Sequence, residues 1–186
     1  MLKGLDMGRP ATWKWLKPLM YCCMLVAALG FSLSLAAHIA SICGKAIPSA
    51  FPVMDLHIGI FVVWFPAVLV VGKMTGSANR KDLWKIALSG CPLWMRRTVY
   101  VLFGYTALNF VLFMMRTGTD RDAGDASPSI VWGFSGHWLL FYGVAFAIFY
   151  SAVHAPSLLE KRFCSHEHLA SPLDQYCPKC GQAIPR

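Results

Sequence analysis

The sequence predicts an all-α membrane protein: four spanning helices followed by a small tail rich in Cys and His. Three observations carry that expectation. Of 186 residues, 56 % are apolar and only 14 % charged, and the mean hydropathy is +0.51, too apolar for a soluble domain of this size. Four runs long enough to cross a hydrocarbon core of about 30 Å, which takes about 20 helical residues, lack interior charge. The Lys and Arg residues also collect in alternate connections, as membrane topology requires.

Residues 1–18 form a basic segment, with Lys3, Arg9, Lys14 and Lys17 interleaved with Trp13 and Trp15. Such a mixture suits the headgroup level of a bilayer. The first span, about 19–43, is uncharged. A cleaved signal peptide is disfavoured, because an h-region is about 7–15 residues and the small-x-small pair Ser34 and Ala36 lies inside the apolar run. The second span, about 53–72, follows a connection containing Pro48 and Pro52. It includes Pro66, which is expected to kink it.

The connection from Lys73 to Arg97 is cationic, and its Leu83, Trp84, Ile86, Ala87 and Leu88 fit either a short helix lying flat at the interface or a plain loop. The third span, about 98–115, is bounded by Arg96, Arg97 and Arg116 and contains Asn109, expected to hold helices together rather than bind an ion. Residues 117–129 are polar, acidic and rich in Gly and Pro, and read as a solvated loop. The fourth span, about 130–155, contains no Asp, Glu, Lys or Arg. Residues 19–159 thus form the spanning domain and 160–186 the tail.

Four spans place both termini on one side. Of the 17 Lys and Arg residues, 14 fall on that side, so the positive-inside rule predicts a multi-pass protein of the inner (plasma) membrane with both termini cytoplasmic. The net charge of +8 serves this topology. With no dense basic patch interleaved with strand aromatics, nucleic acid is not an expected partner.

The tail carries Cys164, His168, Cys177 and Cys180 in the spacing C-x3-H-x8-C-x2-C, with Gly181 after the last cysteine. Thiolates and neutral imidazole in two close pairs suit a closed, structural, tetrahedral Zn²⁺. In a cytoplasmic location metal is favoured over disulfides. The run Tyr176-Cys177-Pro178-Lys179-Cys180-Gly181-Gln182 resembles a zinc knuckle. The paired form, with a histidine in the first half, is similar to the short zinc ribbons at the ends of many small bacterial membrane and regulatory proteins. That resemblance implies a fold for about 20 residues and no activity. No glycine precedes the ligand histidine, and His166 is an alternative ligand to His168.

A second group is His38, His57 and His137, all near the outer ends of their spans. Converging, they would bind Cu or Zn, and two on facing helices would hold haem b. Gly30 and Gly136 would then make room for a macrocycle. Otherwise each histidine is satisfied separately by a serine, an aromatic hydroxyl or a carbonyl. The sequence holds no P-loop, G-x-S-x-G or H-E-x-x-H motif, which lowers the expectation of an enzyme. Two functional expectations remain. One is a non-enzymatic adaptor or scaffold, oligomeric or not, whose tail meets a cytoplasmic or membrane protein partner. The other is a redox or metal-handling protein built on the outer-side histidines.

Overall fold

The computed structural model describes residues 12–45, 47–48, 52–76, 78, 80–116, 127–160 and 162–184. Among them are five α-helices: α1 (Thr12–Ile42), α2 (Asp55–Thr75), α3 (Leu83–Ala87), α4 (Leu93–Arg116) and α5 (Pro128–His154). A two-stranded antiparallel sheet follows in the tail, pairing β1 (Arg162–Phe163) with β2 (Leu169–Ala170). Four helices, α1, α2, α4 and α5, are long and apolar enough to cross a membrane.

Three of the long helices have local signals at their ends. At α1 the chain turns through Gly44, whose φ of 66° is open to glycine at little cost. The Gly44 and Lys45 amides donate back to Ser41 O and Ala40 O at 3.1 and 2.9 Å. Helix α2 carries Asp55 in its first turn and Lys73 in its last, each complementing the helix dipole. Helix α5 starts at Ser127-Pro128. The Ser127 hydroxyl accepts from Ile130 N, and proline stands at the start of the first turn, where no N–H is needed.

The ends of α2 and α4 fall within two residues of Lys73 and Arg116, the expected stops, whereas α1 and α4 begin earlier than their flanking cations imply. Helix α1 begins at Thr12, taking Pro18 inside; its 31 residues reach about 46 Å at about 1.5 Å per residue, beyond a hydrocarbon core. Residues 1–11 of the basic segment 1–18 lie outside the described residues, as do 117–126 of the acidic loop. Helix α2 is continuous through Pro66. Helix α4 begins at Leu93 and so includes Arg96 and Arg97. Arg96 is accommodated because its guanidinium donates to Cys91 O at 2.8 Å and Ser89 O at 2.6 Å, tying down the preceding turn.

Helix α5 is the centre of the helical domain, and α1, α2 and α4 all pack on it. Of the most apolar stretch of each helix, 67 % is buried in α5 against 22 % in α1 and α2 and 11 % in α4. Glycines and aromatics interlock at these contacts. A Cβ on Gly30 of α1 would collide with the Tyr142 ring, one on Gly133 with the Phe113 ring, and one on Gly136 would lie 2.5 Å from Asn109 Nδ2. Asn109 donates to Trp132 O and Gly133 O at 3.1 and 3.2 Å, and Thr106 donates to Gly136 O at 3.0 Å. The outward faces of α2 and α4, with Phe61, Phe65, Leu69, Val101 and Phe110, are exposed.

The connection between α2 and α4 holds the short helix α3, the first of the two expectations, and its apolar side is folded into the core. Ile86, Ala87 and Leu88 are buried, and Gly90 N donates to Ser151 Oγ at 2.9 Å. A Cβ on Gly90 would collide with the Ser151 backbone, so glycine permits this contact. Cys91 Sγ donates to Ala147 O at 3.1 Å. Burial pushes its thiol up to about 11, keeping it a neutral donor.

Candidate metal centre and histidine clusters

The tail folds around its ligands by short backbone ties. The β1–β2 hairpin pairs Phe163 with Leu169, and Cys164 N donates to His168 O at 3.1 Å, closing the loop that carries the first pair. Within that loop Glu167 adopts φ 59°, a left-handed conformation that costs a non-glycine residue about 1–2 kcal/mol. In the second half Gly181, at φ 72°, donates to Cys177 O at 2.8 Å, and Cys177 N donates to Gln182 O at 2.8 Å. This turn wraps the knuckle.

These ties bring Cys164 Sγ, His168 Nδ1, Cys177 Sγ and Cys180 Sγ within 4.8 Å of one another. Cys164 Sγ lies 3.6 Å from both His168 Nδ1 and Cys180 Sγ, and Cys177 Sγ lies 3.7 Å from His168 Nδ1. An ion about 2.3 Å from sulfur and about 2.0 Å from nitrogen spans tetrahedron edges of roughly 3.5–3.8 Å. These three edges match that spacing, and the four donors together could hold a metal ion. His166 is exposed, with its ring stacked 6.2 Å from that of His168.

The thiols are poised unequally. Burial alone would raise Cys177; hydrogen bonds from the Lys179 and Cys180 backbone and from the Cys180 and Cys164 side chains outweigh it and hold the thiol down at about 6. At Cys180 a backbone hydrogen bond from Gln182 lowers the thiol, but burial and the neighbouring thiols together raise it. Of these two thiols Cys177 is the one held toward the thiolate, the form that binds metal.

Glu167 offers a test of the loop. Glu167→Gly is expected to keep metal binding and stabilise the loaded tail by up to about 1 kcal/mol, because glycine takes a positive φ without steric cost. Glu167→Val is expected to destabilise it. Chelator competition on the purified protein orders the three; a weaker glycine variant would refute the backbone argument.

No protein-family model, no curated protein and no solved structure matches this chain.

The end of α1, the starts of α2 and α5 and the end of α4 meet at one end of the helical domain, and the three histidines lie there in two separate places. His57 Nδ1 is 3.1 Å from His137 Nε2 and 3.2 Å from Trp138 Nε1. Indole N–H only donates, so Nδ1 of His57 accepts, and His137 carries its proton on Nε2. His38, buried at 4 % exposure, meets Ser135 Oγ through Nδ1 at 2.7 Å and Tyr105 Oη through Nε2. Ser135 donates to Trp132 O at 3.2 Å, so it accepts from His38 Nδ1–H, and Tyr105 donates to Nε2. This chain links α4, α1 and α5.

His38 therefore follows the separately satisfied pattern, with a serine and an aromatic hydroxyl as partners, and only His57 and His137 come together. Gly30 and Gly136 face Tyr142 and Asn109, which fill the room expected for a macrocycle. Sequence reasoning missed Tyr105, Ser135 and Trp138 as partners. Each sits in an uncharged span where its angular position is invisible, although Trp138 beside His137 was a local signal.

Proposed function

We propose that this chain is a four-span membrane protein whose cytoplasmic tail is a zinc ribbon serving as a non-enzymatic docking module for a protein partner. The observation that carries this reading is the closed set of three thiols and one imidazole with tetrahedral spacing. Four protein ligands leave no open position for a substrate, which is the mark of a structural site, and thiolate with imidazole suits Zn²⁺. The ribbon also presents apolar surface: the cross-strand partners Phe163 and Leu169 are 48 % and 38 % exposed, and Tyr176 is 64 % exposed. Aromatic residues of this kind anchor protein interfaces. Cytoplasmic placement rests on the distribution of Lys and Arg.

Two measurements test the proposal. A reporter enzyme active only outside the cytoplasm, fused after Arg186, should be silent; activity would reverse the topology. A photo-crosslinker at Tyr176 should capture a discrete partner from cells, and capture should fail when Cys180 is replaced or when Phe163 becomes Ala. Adducts unchanged by both substitutions would sink the docking role.

The second reading, a redox or metal-handling protein, is supported by the 3.1 Å approach of His57 to His137. The two nitrogens engage each other, whereas axial haem ligands stand on opposite faces of a macrocycle. The purified protein is accordingly expected to be colourless and to carry tail zinc alone. A Soret band, or one equivalent of copper, lost on His57→Ala would replace the adaptor reading.

A further inference from the structure

We propose that the cavity between α4 and α5 beside His137 binds a lipid-soluble hydroquinone, whose ring hydroxyls donate to acceptor atoms of the cavity wall. The cavity is about 290 Å³ in volume, close to the lower bound of about 300 Å³ for small-molecule sites. Phe103, Thr106, Ala107 and Phe110 of α4 form one wall, and His137 and Leu140 of α5 the other. Phe103, Ala107 and Phe110 are exposed, so the cavity opens to the outside of the helical domain.

The hydrogen bonds already made around the cavity fix what its polar atoms can offer. Trp138 Nε1–H and His137 Nε2–H both donate to His57 Nδ1, at 3.2 and 3.1 Å, so the neutral His137 ring carries its free lone pair on Nδ1. No described residue donates to that nitrogen. Thr106 commits its only hydroxyl proton to Gly136 O at 3.0 Å, which leaves its oxygen as an acceptor as well. The other side chains of the lining are hydrocarbon. The walls thus offer two side-chain acceptors, with no side-chain donor left over and no charged side chain.

Such a lining selects its occupant by exclusion. Anions and quinones bring only acceptors, and a cation would leave water with no carboxylate in the lining to meet it, at a large desolvation cost. A neutral hydroxyl satisfies either acceptor, and a planar apolar ring suits walls built on Phe103 and Phe110. His137 lies about 14 Å along α5 from Pro128, at about 1.5 Å per residue. On the four-span reading that depth is within the hydrocarbon, where water is scarce and the donor must be carried by an apolar molecule. A long-chain alcohol shares the hydroxyl and lacks the ring. This site belongs to the helical domain alone, so a failed docking assay would leave it intact.

The test uses the full-length protein in detergent micelles without oxygen, and a decyl-benzoquinol substituted at every ring position, so that its oxidised form offers no site for thiols to attack. Equilibrium dialysis, corrected for empty micelles, counts the bound ligand. The wild type is expected to bind one quinol, and the matching quinone about tenfold more weakly. Accepting the hydroxyl proton should also shift the nitrogen resonance of His137 Nδ1, which a merely structural role would not do. Thr106→Val and His137→Phe should each weaken quinol binding about fivefold. Ala107→Trp, at an exposed position, should fill the cavity with both acceptors kept and abolish binding, deciding the matter should the histidine variant fail to fold. Decanol bound as tightly as the quinol would support the acceptor site and overturn the hydroquinone as its occupant. Quinone bound as tightly as quinol, or quinol retained by Ala107→Trp, would overturn the proposal.

Discussion

Replacing Cys177 by Ser is expected to release the tail metal and unfold residues 162–184 while leaving the helical domain inserted and folded. The reason is the difference in what holds each part. The tail core consists of Cys164, Ala170, Cys177 and Ile184, with Cys180 packed against them, so three of its five members are ligands. Structural zinc contributes apparent free energies of about 10–16 kcal/mol in small zinc-finger peptides, and without it such domains are unfolded. Losing one thiolate removes a quarter of the coordination shell. The purified protein should fall from one equivalent of zinc to below about 0.2, a near-complete loss of the kind expected when metal binding supplies the folding free energy. Protease should then cut the tail at sites protected in the wild type. Chelation should reproduce both changes. A variant that keeps its zinc, or a metal-free tail that stays protected, would remove the basis of the ribbon.

The second large effect is expected at Trp138. It is fully buried in the central helix, and its indole N–H donates to His57 Nδ1 at 3.2 Å. Trp138→Ala should destabilise the helical domain by about 3 kcal/mol, the low end of the aqueous range for such truncations. In lipid the water-transfer part of that range largely disappears, while the cavity and the lost contacts remain. Trp138→Phe keeps most of the volume and should cost about 1 kcal/mol, mainly the hydrogen bond. Thermal unfolding in detergent measures both. Leu108→Ala, on the exposed face of α4, serves as the reference and should change little. Equal losses at Trp138 and Leu108 would contradict the central position of α5.

Both effects follow from features of different legibility. The metal ligands were readable because the wrapping of one ion by two close pairs is a local geometry: C-x3-H and C-x2-C place the donors with few residues between them. The choice of His168 over His166 needed the fold. Glu167 takes the left-handed turn, and the ring that follows it enters the cluster while the ring before it stays outside.

The four long apolar helices, their order and the cationic character of the connections were likewise set by composition along the chain, because the length needed to cross a bilayer and the cost of charge within it are one-dimensional constraints. Cations marked the ends of α2, at Lys73, and α4, at Arg116, but not the start of α4. Arg96 lies inside α4 because its guanidinium reaches the carbonyls of the preceding turn.

Tertiary structure alone decided the angular arrangement. In uniformly apolar helices the hydrophobic pattern does not distinguish a face toward lipid from a face toward protein, so the partners of His38, His57 and His137 could not be read from their depth. Packing on α5 separates His38 from the other two, directing it to Ser135 and Tyr105 and leaving His57 with His137 and Trp138. The same packing draws Ile86, Ala87 and Leu88 from a cationic connection into the core, because Gly90 allows the backbone to meet Ser151. Sequence by itself determined which four segments are long and apolar enough to span and that the tail's three cysteines and a histidine could hold a metal. The packing of the helices on α5, with close approaches at Gly30, Gly133 and Gly136, decided which side chains meet.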